Sequence, residues 1–328
     1  MRCRKCTQNA QVELRRHGLA LCAAHYLEWF EAQTARAIRR HKMIREGDRV
    51  LVAISGGKDS LALWEVLTRL GYEATGLHIQ LGIGEYSERA YEVTTRFARE
   101  RGLPLIVVDL AESYGLGVPE LSLATGRVAC SGCGLSKRYL MNEVAREEGF
   151  NVVATGHNLD DEAAVLLGNV LRWQTDALPR QGPVLPEREG LARRIKPFYL
   201  FTEREVASYA LLRRIAYQHE ECPNATGAKS LLYKEALNRL EERMPGTKQA
   251  FLEQFLKKIQ PILAEGLGAQ EVALKECERC GAPTTGETCA FCRLWDQAYR
   301  RAKKRKLLPE SRAFEPRPRA RRVAPEEG

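Results

Sequence analysis

No stretch of this sequence is apolar for long enough to span a bilayer. Its first residues, MRCRKC, lack the apolar run of a secretory signal. Both absences point to a cytoplasmic protein with no membrane partner. No long internal repeat is present, so an array of stacked repeats is not expected. Structural disulfides are disfavoured in the cytoplasm, which leaves metal binding as the usual work of clustered cysteines there.

Against these absences stand three surpluses. The 328 residues are 44% hydrophobic, enough for one large core with small appendages. The 51 Lys and Arg outnumber the 42 Asp and Glu, for a net charge of +9. That balance suits an anionic partner such as nucleic acid. The run RRAKKRK, Arg300 to Lys306, and the arginines at 312, 317, 319, 321 and 322 concentrate the charge near the C-terminus. Such a run either contacts phosphate backbone through counterion release or is a solvated tail. Third, there are ten cysteines.

Apolar runs at 49–55, 74–80, 105–109 and 152–156 read as buried strands. Helical patterns at 61–70, 88–101, 135–147 and 160–171 alternate with them. This order predicts an α/β fold with a doubly wound parallel sheet. Residues 176–197 hold four prolines and read as a loop. Helical patterns return at 203–213, 229–243 and 248–264. The Pro- and Arg-rich tail reads as disordered. The expected division is a metal module at 1–26, a catalytic domain at 27–265, a second metal module at 266–300 and a basic tail at 301–328.

Two cysteine sets have closed metal-ligand spacing. The first is Cys3-x2-Cys6-x15-Cys22-x2-His25 and the second Cys277-x2-Cys280-x8-Cys289-x2-Cys292. Four N/S ligands suit tetrahedral Zn²⁺ with no open position, hence a structural role. Cys130, Cys133 and Cys222 remain. Three thiolates are one short of a closed site. They fit a [4Fe–4S] cluster with one open iron. They also fit a dithiol pair with a buried third cysteine, a persulfide carrier closing a transient disulfide, or a third zinc.

SGGKDS, Ser55 to Ser60, lies between the first long strand and a helix. Gly56 and Gly57 let backbone N–H groups close on an anion, and the helix N-terminus adds positive potential. Ser55 and Ser60 supply hydroxyls and Lys58 a point charge. The spacing is not that of a Walker A loop, because Asp59 follows Lys58 and no glycine stands at the required distance.

SGGKDS resembles the PP-loop of the ATP pyrophosphatases, which cleave ATP to AMP and pyrophosphate. TGHNLDDEA, residues 155–163, resembles the second motif of members acting on tRNA. The whole layout over about residues 1–300 is similar to the tRNA 2-thiouridine synthetases, which include T-loop 5-methyluridine and wobble-uridine enzymes. That resemblance implies ATP held by Ala53, Ser55, Gly56, Gly57, Lys58, Asp59, Ser60, Ile79, Gly156 and Asp161. It implies Mg²⁺, two Zn²⁺ and a [4Fe–4S] cluster on Cys130, Cys133 and Cys222. It implies catalytic roles for Lys137 and Asp161. The expected partners are tRNA, a ubiquitin-like sulfur donor with a C-terminal thiocarboxylate, and a second copy of the chain. Of Asp160 and Asp161, one is expected to cap its helix and the other to face the site. The T-loop is the preferred target, hinted at by the Arg-, Glu- and Leu-rich composition. A lysidine-synthetase-like ligase, which needs no central cysteines, and a non-catalytic zinc-dependent RNA-binding protein, which needs no Lys58 or Asp59, are the competing readings.

Overall fold

The computed structural model describes residues 1–225, 229–266 and 273–323. The chain opens with a small hairpin, β1 (Val12–Leu14) and β2 (Leu19–Leu21), and a long helix α1 (Ala23–Arg40). The central α/β body follows in strict alternation: β3 (Val50–Ile54), α2 (Lys58–Arg69), β4 (Ala74–Gln80), α3 (Gly84–Glu100) and β5 (Leu105–Asp109). Then come α4 (Leu110–Tyr114), α5 (Val118–Thr125), α6 (Ala129–Glu147), β6 (Val152–Ala154) and α7 (Leu159–Leu171).

The expected loop at 176–197 is not all loop. It carries two short strands, β7 (Val184–Leu185) and β8 (Arg193–Ile195), that extend the sheet. Beyond it lie α8 (Glu203–Leu212), α9 (Lys229–Arg243), α10 (Thr247–Gln254) and α11 (Gln260–Gly266). A π turn at 255–259 joins the last two. The chain closes with the hairpin β9 (Lys275–Glu276) and β10 (Pro283–Thr284), then α12 (Ala290–Lys304) and β11 (Ala320–Val323).

The main sheet runs β11-β5-β4-β3-β6-β8-β7, with only the two outer strands antiparallel. Its strands are apolar on both faces, as a doubly covered parallel sheet requires. Val50, Val52 and Ile54 face a core shared with α1, α2, α3 and α8. Leu51, Ile106, Val108 and Val153 face a second core shared with α5, α6 and α12. Strand order reverses at β3, between β4 and β6. Doubly wound sheets bind ligands at such a point, outside the carboxyl ends of the strands.

Both cysteine modules dock on this body. Cys3 and Cys22 join the first core; Cys277, Cys280, Cys289 and Cys292 join the second. The divisions expected at 26/27 and 300/301 fall inside α1 and α12, so helices tie both modules to the sheet. Residues 267–272 of the second module lie outside the described residues.

The tail expectation needs correcting. The composition after Leu308, within the tail expected at 301–328, predicts disorder, yet residues 309–323 form an anchored strap. Phe314 packs among Tyr114, Phe291, Trp295 and Tyr299. The hydroxyls of Tyr114 and Tyr139 donate to Pro316 O at 3.0 and 3.1 Å. β11 then pairs with β5 and covers the sheet edge. Pro309, Pro316 and Pro318 all precede the paired residues of β11, where no ladder N–H is needed. Residues 324–328 lie outside the described residues.

Candidate functional site

The SGGKDS turn joins β3 to α2 at the strand-order reversal. Gly56 sits at φ +83°, and a Cβ there would stand 3.0 Å from the Ala90 backbone. Only glycine takes that turn without strain. Ser60 is buried and stitches the loop: its Oγ accepts from Ser55 N at 3.1 Å and donates to Gly57 O at 3.0 Å. Ser55 is exposed and Gly57 half-buried, so their N–H and O–H groups border solvent at the helix N-terminus. Ala53 and Ile79, both half-buried, lie on adjacent strands near the carboxyl edge.

TGHN follows β6, beside this turn. A Cβ on Gly156 would stand 2.8 Å from the Asp59 carbonyl carbon and 2.9 Å from Ser60 N. Asn158 Nδ2 donates to Asp59 Oδ1 at 3.1 Å. The two motifs are thus one packed unit. Burial pushes the Asp59 carboxyl up from its ordinary value; Lys58 opposes that and the charge of Asp161 adds to it. Lys58 Nζ bonds Glu203 at 2.7 Å and lies 3.2 Å from Asp59.

The acidic pair behaves differently from expectation. Asn158, not an aspartate, caps α7, accepting from Asp160 N and Asp161 N. Asp161 closes the capping box by accepting from Asn158 N at 3.0 Å. Its other oxygen pairs with Lys234 at 2.5 Å. Burial raises the Asp161 pKa, but Lys234 and the hydrogen bonds outweigh it and hold the carboxyl below the usual range. Asp160 turns inward instead, to Lys248 Nζ at 2.6 Å and Glu203 N at 2.9 Å. So Asp161 stands beside Asp59 and the phosphate turn, while Asp160 holds α7 to α8 and α10.

Cys130 and Cys133 lie in the first two turns of α6, which starts six residues earlier than its apolar pattern indicates. Cys130 Sγ donates to Asn224 O at 3.1 Å, bringing α6 to the segment around Cys222. Burial pushes the Cys133 thiol up, Lys137 one turn on lowers it, and Cys222 and Cys130 raise it further. Cys130 and Cys133 share α6, and Cys130 meets the backbone two residues after Cys222, so the three thiols come from adjoining segments. They are not as close as ligands of one ion, because among the described residues only the two terminal sets bring three or more ligand atoms within 4.8 Å of one another.

A short bridge links these thiols to the phosphate turn. Gln218 N donates to Gly56 O at 2.9 Å, and Gln218 Nε2 donates to Tyr86 O at 3.0 Å. Four residues later comes Cys222. Lys137 is half-buried, and its charge is felt at His78 as well as at Cys133.

The terminal sets are compact. Cys6 and Cys22 Sγ stand 3.8 Å apart, and His25 Nδ1 lies 3.5 Å from Cys3 Sγ and 3.3 Å from Cys22 Sγ. Cys280 and Cys289 Sγ stand 3.7 Å apart. Each set can hold a metal ion.

Sequence reading missed Lys234 and Glu203. Neither belongs to a motif; each reaches the site from a helix in the C-terminal half. Asn158 was in view inside TGHN but its bridging role needed coordinates.

The PP-loop domain family matches residues 27–227, and the family described as "2-thiouridine synthetase TtuA, N-terminal LIM domain" matches residues 2–27. The chain is 70% identical to the tRNA-5-methyluridine(54) 2-sulfurtransferase of Thermus thermophilus, covering 97% of this chain and 98% of that one. It is 44% identical to the enzyme of the same name from Pyrococcus horikoshii, covering 90% and 94%. In fold it is similar to the U34-tRNA thiolase NcsA of Methanococcus maripaludis, solved with its [4Fe–4S] cluster. That match has a TM-score of 0.76 at 23% identity and covers 95% and 99%. The chain belongs to the PP-loop family and, within it, to the tRNA-5-methyluridine(54) 2-sulfurtransferases.

Proposed function

We propose that this protein replaces the C2 oxygen of the T-loop 5-methyluridine of tRNA with sulfur, at the expense of ATP. The observations that support the reading are the hydrogen bond from Gln218, four residues before Cys222, to Gly56 of the phosphate turn, and that from Cys130 to Asn224, two residues after Cys222. The names of the Thermus and Pyrococcus relatives support the substrate.

The chemistry follows from what the base lacks. The C2 oxygen of a uracil ring leaves poorly. It attacks the α-phosphate of ATP, the bond to pyrophosphate breaks, and the base is left as an adenylate. Hydrosulfide then adds at C2, and AMP departs with the former oxygen. The net exchange is oxygen for sulfur, with no change of oxidation state. Residues 55–60 hold the phosphates through backbone N–H groups and hydroxyls, and Lys58 balances the charge of the leaving pyrophosphate. Asp59 and Asp161, side by side, are suited to Mg²⁺, which would neutralise phosphate charge. Lys137 lies where it can hold a proton or an anionic oxygen near the thiols. The pocket must exclude water, which would reverse the activation.

The donor sets fit the implied metals differently. A tetrahedral zinc with Zn–S near 2.3 Å and Zn–N near 2.0 Å sets ligand separations of roughly 3.8 Å for S···S and 3.6 Å for S···N. Both terminal sets match that scale, and we assign them zinc. The central thiols are farther apart, as expected when ligands bind different irons of one cluster. A [4Fe–4S] cluster on Cys130, Cys133 and Cys222 would leave one iron without a protein ligand, where sulfide can bind. The sulfur donor on this reading is a small protein with a C-terminal thiocarboxylate.

The test is single replacement of Cys130, Cys133 and Cys222 by serine in anaerobically reconstituted protein, followed by nucleoside mass spectrometry of tRNA. Each variant should form no 2-thiolated nucleoside. Full product from any of them overturns the reading.

A further inference from the structure

The eleven Lys and Arg between Arg300 and Val323, against two Glu, carry a net +9. That equals the net charge of the whole chain, so the rest of the molecule sums to zero. Among the described residues, only Arg322 of the eleven lies within ion-pair distance of a carboxylate, that of Glu148. Arg300, Lys304, Lys306, Arg317 and Arg319 are exposed.

The fold fixes where this charge lies. Arg301 Nη1 donates to Thr125 O at 2.9 Å, and Arg305 Nη1 bonds Leu123 O. Both acceptors are at the end of α5, a few residues before Cys130. Trp295 Nε1 donates to Ser136 Oγ on α6, beside Lys137. At the other end of the strap, β11 runs antiparallel to β5, with Ala320 opposite Val108. Arg317 and Arg319 therefore emerge at the carboxyl edge of the sheet, the edge that holds the phosphate turn. Between the two ends lies a groove of about 400 Å³. Arg279, Arg300, Lys303 and Arg312 line it with Tyr299, Phe314 and one acid, Asp296; Arg279 stacks over Phe314 and pairs with Asp296 at 2.7 Å, which leaves Arg300, Lys303 and Arg312 without a carboxylate partner among the described residues.

We propose that the end of α12 and the strap to β11 form the surface that grips the tRNA phosphate backbone and presents the target base to the thiol site. This rests on the thiolation reading for the identity of the RNA. The features that select RNA over a protein partner are the large excess of cations over acids, the exposed lysines and the aromatic-lined groove in which cations outnumber its one acid, Asp296. Protein interfaces are depleted in lysine, whereas phosphate tracks use it. The cations set position and affinity and carry no sequence information.

The experiment uses the full-length, metal-loaded protein and an unmodified tRNA transcript. Fluorescence anisotropy is recorded across a KCl series for wild type, for Arg300→Gln/Lys304→Gln/Lys306→Gln and for Arg317→Gln/Arg319→Gln. The substituted side chains are exposed, and the two variants sit on different elements, so one checks the other. The triple variant should bind about tenfold more weakly near physiological salt, with its log–log salt slope smaller by roughly 2 to 3. The double variant should lose a slope of about 1 to 2. ATP affinity should stay as in wild type. Unchanged tRNA affinity and slope in both variants overturn the surface. So does loss of affinity for an acidic sulfur-carrier protein with tRNA binding intact. If wild type itself forms no thiolated tRNA, the thiolation reading fails instead, and the two failures are told apart.

Discussion

Gly156 lies so close to Asp59 that a side chain at 156 would collide with the backbone of the phosphate loop, 2.8 Å from the Asp59 carbonyl carbon. The contact joins the turn after β6 to the turn after β3 with no space between them. Gly156→Ala must move one of the two. Overpacking of this kind costs about 1–3 kcal/mol, and a shift of up to 1 Å in a positioned loop costs up to about 100-fold in rate. ATP cleavage to AMP in the presence of tRNA should fall at least tenfold, while zinc content stays unchanged. Wild-type turnover in this variant would mean that the two turns are not held as one unit.

Asp160 and Lys248 form a buried ion pair at 2.6 Å that ties α7 to α10. Lys248→Met removes one partner and leaves a carboxylate in the interior. Breaking a buried pair in this way costs about 3–5 kcal/mol. Urea unfolding followed by tryptophan fluorescence should report a loss of that order. Asp160→Asn/Lys248→Met, which removes both charges, should recover much of it.

His78 lies beneath the phosphate turn, its Nδ1 donating to Ile54 O at 3.1 Å and its Nε2 without a protein partner among the described residues. Burial pushes it down to about 4. The unfolded chain takes up a proton at this position near pH 6.5; the folded chain does not until about pH 4. Stability from this group is therefore full above pH 6.5 and lost as pH falls through that window. From pH 7 to pH 5 the contribution is about 2 kcal/mol. His78→Gln should show a stability loss over that range smaller than wild type by about this amount. Equal pH dependence in the two proteins would contradict a buried neutral imidazole.

Much of this molecule was legible in the sequence, and the limits of that legibility are physical. Four of the five parallel strands announce themselves because both faces are buried, so apolar runs such as Val50–Ile54 are continuous; the fifth, Arg193–Ile195, carries two arginines and no such run. SGGKDS and TGHN were readable because a turn at a helix N-terminus needs glycines and small polar groups in sequence. The cysteine spacing marked out the terminal modules. The strap was misread because composition measures only what a segment could bury by itself. Phe314 supplies little apolar surface, but it inserts into an aromatic cluster built by α4 and α12. Lys234, held against Asp161, was invisible for a related reason: a surface-type lysine on α9 reads the same whether it meets solvent or a carboxylate. The start of α6 was missed because Ser131, Gly132, Cys133 and Gly134 show no apolar period.

The central claim is that the thiols of Cys130, Cys133 and Cys222 hold a cluster while the two terminal sets hold zinc. The most direct measurement is the iron, zinc and acid-labile sulfide content of anaerobically purified, reconstituted protein, with the three Cys→Ser variants alongside. The account predicts about four iron, four sulfide and two zinc per chain in wild type, and loss of the iron and sulfide but not the zinc in each variant. Three zinc and no sulfide in wild type would contradict it.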